Sequence, residues 1–167
     1  ALHCARRAIE EAWAHRGGRI HILALDWRKA FDSINTESML DALRRFGLPN
    51  QVLQMIRSIY TGRVFQVNEC SSSSAKCHQR FGICQGCLLS PFLFVIVMSV
   101  LMRDARCILS EAAKDAIDAG RLTDLLYADD TLLLGICSEH VEEMAQAIEK
   151  TGATYGMALH WGKTQAL

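Results

Sequence analysis

The sequence predicts an α+β fold, and three observations carry that prediction. Leu125 to Leu134 contains two apolar runs of strand length flanking the adjacent carboxylates Asp129 and Asp130, which reads as a β-hairpin with the acids on its tight turn. Upstream, Arg19 to Leu25 reads as a mostly buried strand that ends on Asp26. Around these strands, apolar residues recur at three- and four-residue spacing between capping residues, the pattern of amphipathic helices.

In chain order, Leu2 to His15 reads as an amphipathic helix stopped by Gly17 and Gly18, and the strand to Asp26 follows. A connector from Trp27 to Ile34 leads to a helix capped by Asn35 or Thr36. Glu37 lies in its first turn, Met39, Leu40, Leu43 and Phe46 face inward, and Gly47 ends it. Pro49 opens a second helix bearing Val52, Leu53, Ile56 and Ile59, closed by Gly62. Arg63 to Asn68 and Lys76 to Phe81 read as a strand pair around a serine-rich tip, too short to separate two cores. Ser90 caps and Pro91 opens a very apolar helix reaching Cys107, and Ser110 to Arg121 reads as helix end plus connector. After the acidic hairpin, Ser138 caps a helix with Val141, Met144, Ala145 and Ile148 on one face. Gly152 and Gly156 punctuate its end, and Met157, Leu159 and Trp161 alternate as a closing strand before Lys163.

A chain of 167 residues, half of them hydrophobic, can bury one sizeable core and reads as one domain. Eighteen basic residues balance eighteen acidic ones, so no global basic surface marks a self-sufficient nucleic-acid binder. The longest apolar run, Leu88 to Met102, is broken by Ser90, Pro91 and Ser99 and falls short of the roughly 20 residues that cross a bilayer. No signal peptide opens the chain, so seven scattered cysteines read as reduced thiols of an intracellular protein that does not engage a membrane. Cys84 and Cys87 have redox or zinc spacing, but no second such pair exists to complete four ligands.

Adjacent anions at the mouth of buried strands repel one another and resist desolvation unless a cation sits on them. The alternative is an exposed turn, where Asp is common for its own reasons. If the two acid-tipped strands pair side by side, Asp26 and the Asp129–Asp130 turn converge at one sheet edge. Three clustered carboxylates suit two hard divalent cations, and ions roughly 4 Å apart can activate an attacking hydroxyl and stabilise the leaving oxygen.

The order of four segments carries a resemblance. Leu25-Asp26-Trp27-Arg28-Lys29-Ala30-Phe31-Asp32-Ser33-Ile34, then Gln85-Gly86 with Leu89-Ser90-Pro91, then Tyr127-Ala128-Asp129-Asp130, then Gly156-Met157 with Lys163-Thr164 resemble reverse transcriptase motifs A, B, C and D. The flavour is similar to non-LTR (LINE-type) retrotransposon enzymes and spans nearly the whole chain. The resemblance implies a right-hand polymerase palm, a small antiparallel sheet backed by helices, that performs RNA-directed DNA synthesis. It implies that Asp26, Asp129 and Asp130 hold two Mg²⁺ ions, with Mn²⁺ as a substitute, and that Asp130 is the most replaceable of the three. Phe31 would lie under the sugar of the incoming nucleotide and exclude a ribose 2′-hydroxyl; otherwise it is a core ring after a strand. Gln85 and Gly86 would lie beside nucleotide and template, where glycine permits close backbone approach; otherwise they form an ordinary loop before a helix. Lys163 would support the pyrophosphate leaving group or stand as a solvated surface residue, and Tyr127 would pack under the hairpin near the primer end. Asp32 reads as a cap or local structural residue.

The partners implied are an RNA template, a DNA primer and deoxynucleoside triphosphates, with most of the fingers and all of the thumb lying outside residues 1–167. The family usually reads Arg-Gln-Gly-x-Pro-Leu-Ser-Pro at motif B, whereas Cys84 and Leu88 stand here, and His160 replaces a usual Asn of motif D. Those departures fit a divergent or decaying copy, so an inactive palm fragment is one alternative. Another two-metal palm nucleotidyltransferase is the second, and Phe31 argues against a ribonucleotide enzyme.

Overall fold

The computed structural model describes residues 2–14, 18–69 and 72–166. They form two compact units, one from the described residues within 1–30 and 101–167 and the other from those within 31–100.

The first unit contains a four-stranded sheet built from β1 (His21–Leu25), β6 (Leu122–Tyr127), β7 (Asp130–Gly135) and β8 (Gln165–Ala166). Their order is β6-β7-β1-β8, antiparallel throughout. Strand β7 sits between its hairpin partner β6 and the distant β1, and the register pairs Leu25 with Thr131 and His21 with Gly135. Leu133 and Leu134 of β7 are buried, so this strand lies at the centre of the core. Helix α7 (Ser138–Thr154) packs on β7 and β1, burying Val141, Met144, Ala145 and Ile148 as their spacing predicts. Gly135 admits that packing, because a Cβ there would meet Val141 Cγ2 at 2.6 Å. Helix α6 (Glu111–Asp118) packs on β6 and α7, and α1 (Leu2–Ala14) precedes β1.

The second unit holds α3 (Thr36–Phe46) against α4 (Asn50–Tyr60), with four two-residue strands. These are β2 (Val64–Phe65), β3 (Asn68–Glu69), β4 (Ser72–Ser73) and β5 (Cys77–His78). Asn35 caps α3, its side chain accepting from the N–H groups of Glu37 and Ser38, and Gly47 closes it in a left-handed conformation at φ +107. Short α2 (Ala30–Ser33) joins the units, and α5 (Ser90–Cys107) begins in the second and ends in the first. Its Leu93, Phe94, Val97, Met98 and Leu101 are buried, as expected of so apolar a run. Among the described residues no helix is long and apolar enough to cross a membrane.

Several expectations need correction. Phe46 and Ile59 point outward, 55% and 44% exposed, because the apolar stripes of α3 and α4 are wider than the surface that covers them. Within residues 110–121 the structure has a separate helix, Glu111–Asp118, which Ser110 caps through a hydrogen bond from Ala113 N–H. The anticipated 63–68 and 76–81 pair shortens to β2 with β5, and Asn68–Glu69 turns back on Ser72–Ser73 instead. Ser90 and Ser138 lie inside their helices; Ser90 instead donates its hydroxyl to Cys84 O, which ties the helix start to the loop before it. No strand runs through residues 157–161: Leu159 makes a single bridge to Trp27, and the edge strand is β8, beyond Lys163. His15 to Gly17 and part of the serine tip, Cys70 and Ser71, lie outside the described residues. Among the described residues the six cysteines are free.

Candidate active site

Two strand ends build the acidic edge. The β6–β7 hairpin pairs Tyr127 with Asp130 across the two-residue tip Ala128-Asp129. Ala128 takes φ +53, a conformation that costs a residue with a side chain about 1 kcal/mol or more, and the ladder on either side holds it. Register carries the next step: since Leu25 faces Thr131, Asp26 follows opposite Asp130. The fold therefore brings the backbones of Asp26, Asp129 and Asp130 to one end of the sheet.

Their carboxylates are not gathered. Among the described residues no three His, Cys, Asp or Glu side chains are close enough together to hold a metal ion. Asp26 Oδ2 lies 3.6 Å from Lys163 Nζ. The donor set itself, three carboxylates and no nitrogen or sulfur, fits a hard divalent cation of the magnesium type.

The backbone at Asp26 is held on several sides. Its carbonyl accepts from His160 N–H at 2.7 Å, and Arg28 N–H donates to Ala158 O at 2.9 Å. Trp27 is buried between them: its indole N–H donates to the buried Thr131 hydroxyl at 3.4 Å. The indole lies so close to Gly152 that a Cβ there would sit 2.7 Å from two ring atoms. Thus one side chain ties the end of β1 to β7 and to α7.

Beside the acidic edge lies a cavity of about 700 Å³, lined by Ala24, Leu25, Leu125, Tyr127, Asp130 and Leu132 among others. Tyr127 is 72% exposed at its rim and does not pack under the hairpin, since Tyr127 and Asp130 form the pair that flanks the turn, beyond the covered part of the sheet.

The second unit carries the other predicted residues. The Phe31 ring stacks on buried Phe94, centroids 4.2 Å apart and planes 15° from parallel, which fixes its orientation. Gln85 donates its amide to Asp32 Oδ1 at 3.0 Å. Gly86 takes φ +80 with open space where a Cβ would be, so glycine is needed there for its backbone rather than for clearance. Gly82 is the tight one: at φ +88 a Cβ would meet Asp32 O at 2.8 Å, and Gly82 N–H donates to Ile34 O. Arg63 clamps the same loop, donating to Gly82 O at 2.7 Å and to the Cys84 sulfur, with its guanidinium 4.3 Å from the Tyr60 ring centre. Burial pushes the Tyr60 phenol up, and its oxygen accepts from Cys84 N–H at 3.5 Å.

Sequence reasoning passed over Asp32 as a site residue, and also Arg63 and Trp27. Asp32 and Gln85 are 53 positions apart, and no local pattern announces such a pair. The one available signal was at Cys84, where a usual arginine is missing; Arg63 places a guanidinium beside that thiol.

Comparison with known proteins settles the family. The model of the family described as Reverse transcriptase (RNA-dependent DNA polymerase) matches residues 3–167. The chain belongs to the reverse transcriptase family. Relatives of this reverse transcriptase domain include the Pol polyprotein of a type-1 R2 retrotransposable element from Nasonia vitripennis, 32% identical over 130 residues. That alignment covers 78% of this chain and 12% of the relative. The type-2 element R2DM polyprotein of Drosophila melanogaster is 33% identical over 113 residues, covering 68% and 10%. The chain thus spans about an eighth or less of the length of these relatives, all encoded by non-LTR elements. Among solved structures, apo telomerase of Candida tropicalis truncated from its C-terminal domain superposes with a TM-score of 0.75 at 15% identity, covering all of this chain and 35% of that one. Telomerase of Candida albicans in complex with a TWJ fragment of telomeric RNA gives 0.75 at 15% identity, covering 97% and 29%. The fold is therefore that of a polymerase palm, α+β with an antiparallel sheet, and reverse transcriptases as a family work with divalent metal ions.

Proposed function

We propose that this chain is the palm of an RNA-directed DNA polymerase, extending a DNA primer on an RNA template with deoxynucleoside triphosphates. The observation that supports the reading is the β1–β7 register, whose last pair is Leu25 with Thr131, so that Asp26 and Asp130 are the next residues along, with Asp129 at the adjoining tip. Asp26, Asp129 and Asp130 would hold two Mg²⁺ ions. Bound there, the ions supply activation of the primer 3′-hydroxyl and charge stabilisation at the leaving oxygen. Trp27 and the 158–160 backbone keep Asp26 at the sheet end, and Lys163 offers an ammonium for the pyrophosphate. Parts of the polypeptide outside residues 1–167, most of the fingers and all of the thumb, would supply the cationic grip on nucleic acid that a neutral palm lacks. The test is extension of a primed RNA template by the full-length polypeptide with dNTPs and, separately, with NTPs. Strong preference for dNTPs supports the reading, whereas no extension marks an inactive copy and preference for NTPs an RNA polymerase.

Two predictions follow from the second unit. Phe31→Ala removes a ring held rigid by Phe94 and is expected to raise NTP incorporation relative to dNTP by about tenfold or more, measured as the ratio of kcat/KM values. Asp32→Ala frees the Gln85 amide and should raise KM for dNTP about two- to tenfold, the worth of one hydrogen bond, with little change in kcat. Asp32→Asn keeps an accepting oxygen and should restore most of the affinity. Equal losses for both variants would show that Asp32 does not act through Gln85.

A further inference from the structure

The Asp26 carboxylate, which the polymerase reading assigns to a divalent ion, already has a cation beside it. Lys163 Nζ lies 3.6 Å from Asp26 Oδ2. Its approach is set by the backbone: Lys163 N–H donates to His160 O at 2.8 Å, and His160 N–H donates to Asp26 O at 2.7 Å. Immediately afterwards β8 pairs with β1, Gln165 opposite Ala24, so the lysine is delivered by a segment hydrogen-bonded to the same strand on both sides. A separate observation points the same way: the three acids share one sheet end, yet their side chains are not gathered into a cluster that could hold an ion.

We propose that Lys163 serves as a stand-in cation on Asp26, so that a divalent ion binds there by displacing the lysine. The inference rests on the reading of Asp26 as an ion ligand. Alone at the sheet end, the acids repel one another, and an ammonium on Asp26 relieves that repulsion. An ion of twice the charge that also draws in Asp129 and Asp130 would win, and the exposed lysine, 68% accessible, swings away with little packing to lose. The same event frees the ammonium to act elsewhere, so ion binding and the availability of Lys163 are one equilibrium. A pair this exposed competes weakly.

The test is Mn²⁺ binding to the full-length polypeptide followed by electron paramagnetic resonance, with the Asp26-dependent ion defined as the binding lost in Asp26→Asn. Lys163→Met is expected to tighten that site about two- to fivefold, the range of an exposed ion pair. Lys163→Arg should bind as the wild type does. Lys150→Met, which removes an exposed positive charge from α7, should also leave the site unchanged. Wild-type affinity in Lys163→Met, or equal tightening in Lys150→Met, would overturn the stand-in role and leave the metal reading untouched. Absence of any Asp26-dependent Mn²⁺ in the wild type would overturn both.

Discussion

Asp129→Asn is expected to abolish primer extension in the full-length polypeptide, a loss of at least about 10³-fold, or roughly 4 kcal/mol of barrier. The substitution exchanges one carboxylate oxygen for an amide at the hairpin tip, where no ladder pair and no buried contact depends on it. Stability should therefore change by less than about 0.5 kcal/mol, as for other surface substitutions away from special features. That separation gives the experiment its force: unchanged circular dichroism and melting with lost extension assigns the carboxylate to chemistry. Asp130→Asn should cost less. Wild-type extension by Asp129→Asn would remove that carboxylate from the mechanism.

The acidic hairpin was legible because two strong local signals coincide there, strand-length apolar runs and a charged pair that such runs cannot bury. Asn35 and Gly47 were legible for the same reason, since each satisfies a helix terminus through its own backbone or side chain. Phe46 and Ile59 were not: periodicity identifies the apolar face of a helix but says nothing of how much surface lies opposite it. The last strand was misplaced because Met157 and Leu159 alternate as strand residues do, and both are buried, yet their segment is held by Trp27 and Asp26 through isolated bonds.

 The site was half legible. Its acids stand out in the sequence, whereas the contacts of Trp27 beside Asp26, and of Asp32 and Arg63 within the second unit, span separations of 21 to 104 residues that only the folded chain closes.

Trp27→Ala carries the largest expected effect on stability. The side chain is 4% exposed, and its removal combines two losses. The indole contact over Gly152 becomes a cavity, and the Thr131 hydroxyl loses its partner inside the core. Large-to-small aromatic substitutions in cores cost about 3–5 kcal/mol, and an orphaned buried hydroxyl adds to that. The unfolding free energy measured by chemical denaturation should fall by about that amount, against a total of about 5–15 kcal/mol for a typical domain. Gly152→Ala tests the same contact from the other side. Its Cβ would lie 2.7 Å from a rigid ring rather than from the end of a flexible chain, so α7 or Trp27 must shift, at about 1–3 kcal/mol. Because Trp27 directly follows Asp26, that shift should also move the carboxylate: Gly152→Ala is expected to lose extension at temperatures where it remains folded. Full activity in a folded Gly152→Ala protein would separate the packing of α7 from the placement of Asp26.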